Sequence, residues 1–251
     1  MIVLKASSEI ETMRENGKIL AAVLQAVCEE VRPGQNTAYL DRLAERLIRK
    51  AGAEPALKGY RGYPATLCAS INNEVVHGIP TEKRRLEEGD ILSIDISLLR
   101  EGLFVDMATT LPVGEITNEL KHLLRVTERS LWCGIEQVTI GNRLSDVSHA
   151  IGSHAESEGL YVVREYVGHG IGRALHEDPQ IPNYGPPGQG PRLQQGMVFA
   201  IEPMVKTDPK PTQVLRDCWT VVTTTGGFAA HFEHTVALTE TGADVLTRGG
   251  G

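Results

Sequence analysis

An internal repeat limits what this chain can fold into more than any other feature. At a displacement of 107 residues, Glu29, Val31, Gly34 and Gly52 coincide with Glu136, Val138, Gly141 and Gly159. At the same displacement Arg85, Leu86, Gly89 and Ile94 meet Arg192, Leu193, Gly196 and Ile201. The second block is the sharper. R-L-E-E-G-D-I-L-S-I-D ending at Asp95 stands against R-L-Q-Q-G-M-V-F-A-I-E ending at Glu202, each a turn followed by an apolar strand that closes on a carboxylate. A repeat that also preserves its local pattern implies two related units stacked or paired in space. The expectation is a single domain spanning 1–251, made of halves at approximately 8–115 and 116–247 with no linker between them.

The local patterns agree between halves. Ser8-x-x-Glu11 reads as a capping box opening an amphipathic helix with Ile10, Met13, Leu20, Leu24, Val27 and Val31 on one face, and Leu120 to Val138 repeats the pattern. A second helix follows in each half, at 38–50 and 144–158, and ends at Gly52 or Gly159, the residue type that most easily adopts a left-handed helix end. Strands are expected at 65–71, 91–97, 103–111, 161–166, 197–202, 219–224 and 234–239. The fold class is therefore α+β: two pseudosymmetric halves whose sheets join, with helices covering one face.

Composition removes several alternatives. The N-terminal stretch meets charge and hydroxyls after Met1-Ile-Val-Leu, and no segment approaches the roughly 20 apolar residues of a membrane span. A cytoplasmic protein is expected. Cys28, Cys68, Cys133 and Cys218 are widely spaced without C-x-x-C, so they read as free thiols, not as a disulfide framework or zinc knuckle. With 25 basic against 32 acidic side chains and a net charge of −7, general nucleic-acid or anionic-membrane binding is disfavoured, and Lys83-Arg84-Arg85 reads as a solvated turn.

Asp is disfavoured in strands, yet Asp95 and Asp106 each interrupt an apolar strand segment. A turn at Arg100-Glu-Gly102 would set them nearly opposite, roughly 5 Å apart at Cβ, where like charges destabilise. A shared proton or a bound cation must compensate, unless the pair, near the hairpin end, simply points to water. Glu202 closes the repeated strand as Asp95 closes the first, and Glu233 follows one strand later as Asp106 does. Four acids at one locus exceed what an acid dyad needs, and two divalent ions would neutralise them.

Histidines extend this set. His169 in V-G-H-G-I-G is flanked by glycines that permit close backbone approach, and N-E-V-V-H-G-I-P places His77 in a similar His-Gly-Ile. His176 follows in L-H-E-D-P. Imidazole with mainly oxygen ligands suits divalent Co, Mn, Fe or Zn better than Mg or Ca. No His-Glu-x-x-His, phosphate loop or Gly-x-Gly-x-x-Gly is present.

The order Asp95, Asp106, His169, Glu202, Glu233, in I-D-I-S, F-V-D-M-A-T-T, G-H-G-I-G-R, I-E-P-M and F-E-H-T-V, resembles the metal-ligand set of the type I methionine aminopeptidases. The similarity runs from about Ser8 to Thr247 and includes G-Y-P, H-G-I-P and H-E-D-P. It implies the pita-bread fold, a curved antiparallel sheet around two divalent ions, in the short bacterial form. It further implies removal of N-terminal Met from nascent chains by metal-activated water. Asp95 would chelate one ion, Asp106 and Glu233 would bridge both, and His169 and Glu202 would complete the other. Glu202 would accept a proton, His176 would bind the carbonyl oxygen or oxyanion, and His77 would orient the next peptide unit or assist the leaving amine. Tyr60, Tyr63, Cys68 and Trp219 would line the Met pocket, although Tyr60, Tyr63 and Trp219 alone would read as core aromatics. A monomer is expected, and docking at the ribosome is left open. Four departures from the pattern stand out: Leu175 for Phe, expected to widen or soften the pocket; His231 for Gln beside a ligand; Cys218 where Gly is usual; and Gly226-Gly227 in the last hairpin. An Xaa-Pro peptidase and a metal-free binding protein are the competing readings.

Overall fold

The computed structural model describes residues 1–249. Four helices form where the apolar spacing places them: α1 (Ser7–Cys28), α2 (Thr37–Lys50), α3 (Asn118–Glu136) and α4 (Leu144–Ser157). The start of α1 differs from expectation. Glu9, not Glu11, closes the cap, its carboxylate accepting the Ala6 N–H at 2.8 Å, while Glu11 pairs with Arg14. The helix begins one residue earlier than Ser8, which moves the third helical position to Glu9. Asn36 and Thr117 cap α2 and α3 by accepting the N–H of Tyr39 and Leu120.

Nine strands make one sheet that runs through both halves. Its main path orders Glu54–Pro55, Ile91–Arg100, Leu103–Pro112, Glu233–Thr239, Val198–Ile201, Gly168–Gly170 and Glu177–Ile181, all antiparallel. Leu67–Ile71 adds onto Ile91–Arg100, and Gly242–Val245 onto Glu233–Thr239. The halves meet where Glu233 and His234 register with Ala108 and Met107. Thr235 clamps that seam: its Oγ1 accepts the Asp106 N–H at 2.9 Å and donates to the Asp106 carbonyl at 2.8 Å. This is the curved, helix-covered antiparallel sheet of the pita-bread fold.

The repeat is present in the hydrogen bonds themselves. Asn36 bridges Arg85 and Arg143 bridges Arg192. Gly34 N–H donates to Leu86 O and Leu86 N–H to Gln35 O. The same bonds recur from Gly141 to Leu193 and from Leu193 to Asn142. The Arg85 guanidinium donates to Gly34 O at 2.6 Å, and that of Arg192 donates to Gly141 O at 3.1 Å. Every pair differs by the displacement seen in the sequence.

Alternation along the strands separates packing from chemistry. Ile94, Ile96, Leu98, Val105 and Met107 join α1 residues Met13, Leu20, Leu24 and Val27 in one core cluster. Phe199, Ile201, Val236 and Leu238 join Leu123, Val126, Leu131 and Ile135 of α3 in another. The intervening residues face away from the helices and carry the acids. The expected strand at 161–166 shortens to Tyr161–Val162, while Gly168–Gly170 and Glu177–Ile181 are strands that polar, glycine- and proline-rich sequence concealed.

Candidate metal centre

Register on the helix-free face builds the site in two rows. Cys68 pairs with Asp95, Asp95 with Ala108, and Ala108 with Glu233, while Glu202 stands one residue beyond the paired Ile201 and His234. Two residues along each strand, Ser97 pairs with Asp106, and across the seam Thr235 pairs with Ala200 and Ala200 with His169. Asp95 and Asp106 are thus diagonal neighbours, not opposed as the sequence suggested. The two-residue turn at Glu101-Gly102, closed by the Arg100 and Leu103 pair, shifts the pairing by two positions. Diagonal neighbours are roughly 7–8 Å apart at Cα, a separation that two carboxylates can approach from either side. Ala108 and Ala200 between the ligand candidates leave the space open.

Asp106, His169 and Glu233 form the tightest set, with one donor atom each within 4.8 Å of the others, and all three are buried. Asp95 and Glu202 line the same cavity. The His169 Nδ1 lies 2.8 Å from the Gly170 carbonyl, which can only accept, so Nδ1 carries the proton and the Nε2 lone pair faces the acids. The flanking glycines are required by close backbone approach. A Cβ at Gly168 would fall 2.6 Å from Ala200 O, and one at Gly170 would fall 2.2 Å from Asp178 O. His169 Nε2 is 3.4 Å from Glu202 Oε1, and His231 Nε2 is 3.6 Å from Glu202 Oε2.

The electrostatics favour a cation. Two like charges about 4 Å apart repel by about 4 kcal/mol at an effective dielectric near 20, a large share of the roughly 5–15 kcal/mol that holds a domain folded. Without a cation the acids must hold protons. Burial pushes the Asp95 carboxyl up to about 6, against a hydrogen bond from Cys68 that lowers it. Burial, reinforced by the neighbouring acids, raises Asp106, Glu202 and Glu233 well above the carboxylate range. Burial holds His169 down at about 4 and His231 at about 3, so both rings are neutral and their contacts with Glu202 are not ion pairs. Ser97 Oγ donates to Asp106 Oδ1 at 2.8 Å, whereas Glu233 Oε1 is buried without a hydrogen-bond partner. A divalent transition-metal ion fits this donor set of carboxylate oxygens and one neutral imidazole, and it would satisfy the orphaned oxygen.

All sequence-derived candidates converge. A cavity of about 130 Å³ is lined by Tyr60, Tyr63, Cys68, His77, Asp95, Asp106, His169, His176, Glu202, Trp219 and Glu233, joined by Leu57 and Arg61. The last two had no motif to flag them; only their closeness to Tyr60 in the chain pointed there. Tyr63 and Trp219 pack edge to face at 5.1 Å, and His77 meets Trp219 and Tyr166 edge-on. His77 sits at φ 61, in a left-handed conformation that is uncommon for residues other than glycine. Burial lowers its pKa.

Three of the departures take defined places in the structure. Leu175 is 1% exposed and packs in the core cluster, not among the cavity-lining residues, so its shorter side chain alters packing behind the wall. Cys218 is exposed at φ 65, where a glycine would be unstrained. His231 is buried beside Glu202, as its position two residues before Glu233 suggested.

Fold and site together define a metal-dependent hydrolase of the pita-bread class. A model of metallopeptidase family M24 matches residues 11–240. The chain belongs to that family, whose members work with divalent metals. It is 52% identical over 248 residues to methionine aminopeptidase 1 of Bacillus subtilis, covering 99% of this chain and 100% of that one. It is 50% identical to methionine aminopeptidase of Clostridium acetobutylicum, covering 98% and 99%. The crystal structure of methionine aminopeptidase from Thermotoga maritima superimposes with a TM-score of 0.97 at 47% identity, covering 99% and 100%. Prolidase from Pyrococcus furiosus shares the fold at a TM-score of 0.79 and 22% identity, with this chain spanning 66% of its length.

Proposed function

We propose that this chain, acting as one catalytic domain, hydrolyses the first peptide bond of polypeptides that begin with methionine. Two divalent ions would be held by Asp95, Asp106, His169, Glu202 and Glu233, with Co, Mn, Fe or Zn suited to the donors. The carrying observation is a single cavity lined both by buried acids with a neutral imidazole and by Leu57, Tyr63, Cys68 and Trp219. An unbranched thioether packs well against such aromatic and apolar surfaces.

When bound, the cations polarise the scissile carbonyl and make water a nucleophile near neutral pH. The chain does the rest. Glu202, between two neutral histidines, takes the proton from the attacking water. His176 donates to the carbonyl oxygen as negative charge develops there. His77, braced edge-on by Tyr166 and Trp219, orients the next peptide unit or assists the departing amine. The free α-amine of the substrate is drawn to the acids, which restricts cleavage to the chain end. We place the enzyme in the cytoplasm as a monomer working on nascent chains. Four free thiols among the described residues support that compartment.

The test is anaerobic purification, metal content per chain, and Met release from Met-Ala-Ser peptides with Co(II), Mn(II) or Fe(II). Release is expected. No release with any divalent metal would overturn the reading, and cleavage of Ala-Pro but not Met-Ala would move it to an Xaa-Pro peptidase.

A further inference from the structure

His176 lies in a stack of three rings. Its centroid is 4.2 Å from that of His169 and 5.1 Å from that of Tyr60, the latter pair only 20° from parallel. Tyr60 Oη is also 2.9 Å from His176 Nδ1. The tyrosine is held by its own turn: Gly59 N–H donates to Tyr63 O, Gly62 N–H to Gly59 O and Tyr63 N–H to Tyr60 O. Arg61, at φ 49, completes that tight turn. The hydroxyl therefore has a defined position relative to the imidazole.

A neutral imidazole carries one N–H, and the partner on one nitrogen decides where it sits. His169 is settled by a carbonyl, which forces the proton onto Nδ1. His176 faces a hydroxyl, which can give or take. A phenol O–H is a good donor and a neutral imidazole nitrogen without a proton is a good acceptor, whereas the phenol oxygen accepts only weakly. On this reading the two stacked histidines hold opposite tautomers: bare Nε2 at His169 and protonated Nε2 at His176.

We propose that Tyr60 is a positioning residue for the reaction, its hydroxyl donating to His176 Nδ1 and so keeping the proton on Nε2, where it can be offered to the substrate carbonyl oxygen. This rests on the role given to His176 above. It assigns the Tyr60 oxygen a task separate from its ring, which walls the cavity.

Nitrogen NMR of the zinc-loaded, ¹⁵N-histidine-labelled protein tests it. Wild type should show His176 with an unprotonated Nδ1 and a protonated Nε2. Tyr60→Phe, which keeps the ring and removes only the oxygen, should convert this to a mixture of tautomers. In Met release the same variant should lose roughly 3- to 10-fold in kcat, the equivalent of one hydrogen bond, with KM changed less than about twofold. Tyr60→Leu, which also loses the wall, should raise KM as well. A wild-type His176 protonated on Nδ1, an unchanged tautomer in Tyr60→Phe, or an altered tautomer with full kcat would each overturn the proposal. A wild-type protein that releases no Met would instead overturn the activity itself, and the nitrogen shifts tell the two failures apart.

Discussion

The two halves are alike in what supports the site and unlike in what the site uses. Gly34, Gln35 and Leu86 make the same backbone bonds as Gly141, Asn142 and Leu193, and Ala53 bonds Ile48 as Leu160 bonds Ala155. Yet the first half supplies two aspartates and most of the aromatic wall, while the second supplies two glutamates, His169 and His176. Duplicated scaffold brings carboxyl groups to a common axis. Divergence then adds imidazoles to the acids of the second half and most of the apolar wall to those of the first.

The largest expected effect tests whether both sides of the seam are indispensable. Asp106→Ala and Glu233→Ala come from different halves but adjacent rows, and each should reduce Met release by at least about 10³-fold, measured with saturating Mn(II). Retained activity in either variant would mean that one half builds the centre alone. Next comes the backbone that carries His169. Gly170→Ala puts a methyl against Asp178 O at 2.2 Å and must displace His169, so we expect destabilisation of about 2 kcal/mol or more in denaturant unfolding together with weakened metal binding.

Protons provide a third, smaller test. Burial raises all four acids, so below their shifted values the metal-free site holds protons that a cation must expel. The sign follows: affinity for divalent ions rises with pH, most steeply below the Asp95 value of about 6, where all four acids hold protons, and less steeply above it. Calorimetry in buffers of different ionisation enthalpy should show net proton release on metal addition. Release near zero at pH 6 would show that the acids are already ionised. The smallest effect concerns the shared scaffold. Arg85→Ala and Arg192→Ala each remove a guanidinium bond to the equivalent glycine carbonyl on an exposed surface. Both should cost no more than about 1 kcal/mol, by similar amounts, and leave Met release intact. Unequal costs would show that the halves are less equivalent than their bonds suggest.

Much of this architecture is legible in the sequence. The displacement of 107 residues anticipated the paired turns, and two aspartates in apolar strands marked the site, because a strand rarely accepts a carboxyl without a use for it. Helical periodicity placed all four helices within a few residues. Legibility failed where long-range pairing overrides local pattern. Gly168–Gly170 and Glu177–Ile181 have no apolar alternation, since neighbouring backbone, not side-chain burial, makes them strands. The diagonal relation of Asp95 and Asp106 depends on which two residues form the hairpin loop: Glu101-Gly102 sets Asp95 against Ala108, whereas Arg100-Glu101 would set it against Asp106, and the turn sequence does not by itself decide between them. Leu57 and Arg61 reach the cavity through the turn around Tyr60, a path set by tertiary contacts. The contact of Tyr60 with His176 joins residues from opposite halves, and no spacing rule could reveal it.

The alternation of the strands has a final consequence, one of tolerance. Asp106 stands between Val105 and Met107, and Glu233 between Phe232 and His234, while Glu202 follows Ile201; each apolar neighbour is locked into a helix-facing cluster. The acids have few bonds of their own to fix them, and Glu233 Oε1 has none. Their placement is machined from behind, by interdigitated methyl and aromatic groups that never meet a substrate. The accuracy of the catalytic face is therefore set on the greasy side of the sheet, and a worn part there would be felt first as a misaligned carboxylate.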